Sequence, residues 1–250
     1  MKTIDAVVAS SAMLRGALEA MSEQATQAHL AGRGLVLTAE WVGDLDLPRA
    51  VDDLRALVIG LSGTVRGLAP GETVTLAWLA KQGYGHPWCQ VLVEMRPEEL
   101  ESLTVHVDGR AVGETDRHAW ATSDEGSDRP ATEVELSPSA VTLSSARLLY
   151  GAVEGISYRT KLEYVCGEGL RIGGTWLGAF DLDQVQRDVA ALLTGMGGTV
   201  KGLQPGESIT IEWVGRHSGE NHQHHVIARM APGDEASLEV DVRTEVWGNA

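Results

Sequence analysis

The chain has 250 residues, 43% of them hydrophobic but only 5% aromatic, which describes a globular chain with real cores rather than a disordered one. Its formal net charge of −15 argues against the basic footprint of a typical nucleic-acid binder. Two cysteines exclude a disulfide framework or a CxxC metal site, and no apolar run has the length of a membrane span, so a cytoplasmic protein is expected.

In chain order, "TIDAVVAS" at 3–10 alternates and predicts a strand of about six residues. A helix follows, with Met13, Leu14, Ala17, Leu18 and Met21 as its apolar stripe and Ser10 or Ser11 in N-cap position. The run from Ala25 to Val42 alternates twice around Gly32-Arg33-Gly34, which is hairpin chemistry. "LPRAVDDLRALVIGL" returns to helical period, placing Leu47, Val51, Leu54, Val58 and Leu61 on one face, with Pro48 in the first turn and a glycine at the end. "APGE" is then a turn, and "TVTLAW", "QVLVEM" and "LTVHV" alternate as three strands.

The segment 116–135, "DRHAWATSDEGSDRPATEVE", is acidic and rich in turn formers, and reads as an extended linker with Trp120 as an anchor packed onto a domain. Beyond it the same pattern begins again. "SGTVRGLAPGETVTLAW" (Ser62 to Trp78) returns as "GGTVKGLQPGESITIEW" (Gly197 to Trp213), at an offset of 135 that holds without a gap over more than a hundred residues. The second copy has a strand at 139–145, a helix with stripe Leu148, Leu149, Ala152, Val153 and Ile156, a hairpin around Gly167-Glu168-Gly169, a helix from "LDQVQRDVAALLTGM", and three strands. A single long repeat means duplication of a whole domain. The expected architecture is α+β, with domains at 1–115 and 136–250, each an antiparallel sheet with two helices on one face.

Chemistry-bearing groups are few. "RHSGENHQHH" holds His217, His222, His224 and His225 in a hairpin loop; His222 and His224 share a side if the segment is extended. The first copy offers only His86 and Cys89 there, so no obligatory metal site is expected and no cofactor is assigned. Neither a nucleophile elbow nor a phosphate-binding glycine loop occurs, and the chain is read as not an enzyme. The pairs Trp41/Trp176 and Trp78/Trp213 lie on strands and read as core or interface residues. Arg15, Arg49, Arg55, Arg147 and Arg187 lie on the predicted helices, and Arg66 and Lys201 follow the second helix of each copy. Their spacing suits a solvated helix surface with local ion pairs, such as Arg187 with Asp183.

Taken together, the helix "SSAMLRGALEAMSE", its counterpart "SSARLLYGAVEGIS", the hairpin whose second strand opens Gly-Leu, and "LDQVQRDVAALLTGM" before "ESITIEW" resemble the two-domain DNA sliding clamps, the type of proliferating cell nuclear antigen and phage processivity clamps. The chain departs from that family in the short segments between hairpin and second helix, where a clamp fits more strands. The resemblance implies a homotrimeric ring whose helices face duplex DNA, with Arg15, Arg49, Arg55, Arg66, Arg147, Arg187 and Lys201 toward phosphates without base readout. It also implies a DNA polymerase or other replication partner docking a short peptide near the linker and Trp120, and no membrane. The alternative is a non-catalytic protein-binding or assembly module of immunity-protein or virion type, built by the same duplication.

Overall fold

A computed structural model describes residues 12–22, 24–42, 46–81, 88–110, 142–143, 146–217 and 219–246. The first half runs α1 (Ala12–Ala20), β1 (Gln24–Leu30), β2 (Gly34–Val42), α2 (Leu47–Leu61), β3 (Thr73–Lys81), β4 (Trp88–Met95) and β5 (Thr104–Arg110). The second repeats it as α3 (Arg147–Gly155), β6 (Arg159–Val165), β7 (Gly169–Leu177), α4 (Leu182–Met196), β8 (Ser208–Arg216), β9 (His222–Met230) and β10 (Glu239–Val246). The fold is α+β and duplicated, with two five-stranded sheets ordered β1-β2-β3-β4-β5 and β10-β9-β8-β7-β6.

The sheets are mixed rather than wholly antiparallel. Strand β2 pairs parallel with β3, and β7 with β8, while every other neighbour is antiparallel. The physical reason is the connection: α2 or α4 carries the chain back along its sheet, and a helical crossover is what a parallel neighbour requires. Both crossover helices start on an aspartate cap, Asp46 accepting from the Arg49 N–H at 3.2 Å and Asp181 from that of Gln184 at 3.0 Å. Their predicted glycine stop takes another form. Each helix tightens into a single 3-10 turn, Ser62–Thr64 or Gly197–Thr199, where the Thr64 and Thr199 hydroxyls donate to the Leu61 and Met196 carbonyls at 2.7 Å.

The predicted helical stripes are buried: Met13, Leu14, Ala17 and Leu18 on α1, Leu148, Leu149, Ala152 and Val153 on α3, and Leu54, Val58 and Leu61 on α2. Strand residues facing them, including Leu35, Leu37, Val74, Leu76, Ile209 and Ile211, join them in one apolar cluster. Trp78 and Trp213 lie in that core, and Trp41 and Trp176 pack at its edge. The predicted strand at 3–10 lies outside the described residues. Within the one predicted at 139–145, Thr142 and Leu143 are helical, the Thr142 carbonyl accepting from the Ala146 N–H as in a helical turn. Linker residues 116–135, with Trp120, also lie outside the described residues.

Candidate functional site

The seven basic residues singled out from the sequence are all solvent-exposed. Arg15 pairs with Glu19 at 2.9 Å and Arg49 with Asp53 at 3.6 Å, both one helical turn apart. Arg187 donates to Gln184 Oε1 at 3.0 Å, the neighbour of the expected Asp183. Arg147 opens α3, and Arg55 lines a groove between α2 and α4 beside Asp52 and Ile59. Arg66 donates to the Gly63 carbonyl and Lys201 to that of Gly198 at 3.0 Å, so each cation also satisfies an acceptor at the end of its own crossover helix.

Arg66 and Lys201 serve a second purpose across the junction of the halves. The Arg66 charge acts on Asp188, and that of Lys201 on Asp53, which is the counterpart of Asp188 in the repeat. Burial raises both carboxyls, Asp188 to about 6, and the cations, with Arg187, Arg49 and the Gln184 hydrogen bond, offset part of that rise.

This reciprocity extends to the backbone. Helices α1 and α3 cross where Gly16 meets Gly151, and a Cβ on either would overlap the other's carbonyl oxygen. Helices α2 and α4 meet at Gly60 and Gly195, whose backbones likewise leave no room for a side chain. Each pair consists of equivalent positions in the two repeats. Equivalent residues that touch each other lie on a two-fold axis, so the two halves join isologously.

With the helices engaged there, each sheet turns its other face outward, and the two outer faces differ. On the first sheet Gln24, Thr26, Thr38, Ala77, Leu79 and Gln90 line an open hollow of about 480 Å³, with Glu40 the single ionisable group among the described residues that line it. The equivalents on the second sheet are Arg159, Lys161, Gly173, Glu212, Val214 and His225. There Glu212 lies 3.8 Å from Arg171 and 3.7 Å from His225, which lies 3.6 Å from Glu245.

The histidine-rich segment is strand rather than loop: His222, His224 and His225 belong to β9, paired with β8 and β10, and His217 follows β8. Pairing on both sides extends the segment and puts His222 and His224 on one face, their ring centroids 5.1 Å apart. His222 Nε2 lies 2.8 Å from Glu220 Oε2, and His224 Nδ1 lies 3.0 Å from Thr244 Oγ1. Phe180 stacks on His217 at 4.2 Å and meets His224 edge-on at 5.7 Å. Partial burial, then the charges of His222 and His217, lower the His224 pKa from its ordinary value.

Reading "APGE" and "QPGE" as turns missed the part played by their carboxylates. Glu72 is buried and accepts from the Gly32 and Ala69 N–H groups at 2.9 Å, with His29 Nε2 at 3.0 Å. Glu207 does the same with Gly167, Gln204 and the Tyr164 hydroxyl. Each fastens the first hairpin to the third strand. The bond with His29 and then that from Ala69 hold Glu72 down to about 2, and Glu207 pushes Tyr164 up to about 12. The available signal was the exact recurrence of Glu after Pro-Gly, with His29 and Tyr164 also at equivalent positions.

No protein-family model matches the chain, and no curated protein matches it. Among solved structures, 84% of the chain aligns with 70% of one described as "Crystal structure of Sex pheromone staph-cAM373 precursor", at 7% identity and a TM-score of 0.26, a likeness too slight to carry an argument. No helix among the described residues is long and apolar enough to cross a membrane.

Proposed function

We propose that this is a non-catalytic protein-binding module that presents the outer face of its first sheet to an uncharged surface or extended segment of a partner. The contrast between the two outer faces carries the reading. One duplicated frame bears a face laced with its own ion pairs and another of threonine, glutamine, alanine and leucine around a hollow. A hollow with one carboxylate, Glu40, among the residues that line it has less charge to desolvate than the ion-paired face, and is the better dock for a largely uncharged partner. The same proposal takes the cytoplasm as its location, a reading that the two free cysteines, Cys89 and Cys166, support.

The junction supports the same reading over the sliding clamp. A ring of similar domains grows by heterologous contacts, whereas the contact between these halves is isologous and closes on itself. Arg15, Arg49 and Lys201 also have acidic or carbonyl partners close at hand.

The test combines particle mass in solution with retention on circular duplex DNA. A monomer or dimer that is not retained is expected; a closed trimer held on circular DNA and released by linearising it would restore the clamp. A second arm compares Leu79→Glu with Val214→Glu, its equivalent on the charged face. Proteins captured by the wild type should be lost with the first variant and kept with the second, and identical capture by both would sink the binding-face assignment.

A further inference from the structure

We propose that Glu220, His222 and His224 form a site for one divalent transition-metal ion of the zinc class, independent of the partner-binding face. The three residues offer one donor atom each, all within 4.8 Å of one another. Two imidazoles and a carboxylate are a set that suits zinc and its neighbours and leaves a fourth position open. Zinc–nitrogen bonds of about 2.0–2.1 Å place the donors of one tetrahedron roughly 3.3 Å apart, so the three need to close by about 1.5 Å at most. Glu220 and His222 are exposed enough for that movement, at 43% and 39%, while His224 is fixed by strand pairing.

The surroundings are those of a ligand histidine. Thr244 Oγ1 engages His224 Nδ1, which fixes the ring and leaves Nε2 for the ion. The Phe180 edge packs against the same imidazole. Glu220 Oε2 and His222 Nε2 already lie 2.8 Å apart, within the reach of one ion. The ligands come from the turn between β8 and β9 and from β9, and the first half pairs the equivalent strands, β3 and β4, without such a set of ligands on them, so the ion is a guest of the folded protein and not a condition of folding.

Cobalt(II) is the probe, titrated into the untagged full chain with visible absorption as readout and zinc as competitor. One Co²⁺ per chain, displaced by Zn²⁺, is expected. His222→Gln and His224→Gln should abolish binding while their far-ultraviolet circular dichroism is unchanged, and Thr244→Val should weaken it roughly 10- to 100-fold. His225→Gln, on the opposite face of β9, should bind as the wild type does. Should His224→Gln misfold, the exposed His222 variant decides. Absence of saturable binding, binding that survives His222→Gln, or equal loss in His225→Gln would overturn the site.

Discussion

Asp188 sits at the junction of the halves with its carboxyl raised from 3.8 to about 6, chiefly by burial, against the opposing pull of the Gln184 hydrogen bond and the Arg66 and Arg187 charges. The folded chain therefore holds this proton to a higher pH than the unfolded chain. Its contribution to stability is complete below 3.8 and is lost as pH rises through about 6. A displacement of that size bounds the cost at neutral pH at about 3 kcal/mol. Asp188→Asn removes the charge and keeps an Oδ1 that accepts from Gln184, now at 2.6 Å. Urea unfolding should show the variant about 1–3 kcal/mol more stable at neutral pH, with the gain shrinking through 6 and gone below 3.8. A gain that ignores pH would place its cause elsewhere. Glu72, held near 2, runs the other way: its stabilisation is present above the ordinary 4.5 and fades toward 2.

At the scale of the element, the stripes that bury α1, α2 and α3 were legible because a helix packed on a sheet must repeat its apolar positions at helical period. The hairpins were legible from their glycines; Gly34 and Gly169 adopt φ of 106° and 112°, which other residues rarely reach. The one parallel pairing in each sheet was not read, since it follows from the α2 and α4 crossovers rather than from alternation within a strand. Nor was the histidine strand, which is extended by its neighbours on both sides. The helix stops were read at the glycines after each run, and Gly60 and Gly195 within the helices went unremarked, although they mark a crossing that local sequence does not reveal. Their substitution separates the two explanations by sign. Helix propensity alone favours Gly60→Ala by about 1 kcal/mol. The structure puts the new Cβ 2.5 Å from the Gly195 Cα, and relieving such overpacking costs about 1–3 kcal/mol. The urea midpoint of Gly60→Ala should fall, while Gly198→Ala, whose Cβ would meet nothing within 4 Å, should be neutral or better. A stabilised Gly60→Ala would mean that the helices do not cross there.

For the whole molecule, a junction whose equivalent residues meet on a two-fold axis has a geometry that a homodimer of one half can reproduce. The second half is the better suited. In the intact chain Gly155 approaches the Ala12 carbonyl so closely that a Cβ there would overlap it. Gly155 is the counterpart of Ala20, so a pair of second halves keeps glycine at both copies of that crossing, whereas a pair of first halves puts the Ala20 methyl group there. Lys201 of one copy would then face Asp188 of the other, repeating the cation–carboxyl arrangement of the junction. Residues 136–250 produced alone should therefore sediment as a folded dimer, and 1–115 should pair more weakly or unfold. Introducing Gly195→Ala into the second half should shift its dimer toward monomer, since both copies would bring a methyl group to the axis. A second half that is folded and monomeric, or a dimer indifferent to Gly195→Ala, would show that the halves are joined by something other than the isologous crossing of their helices.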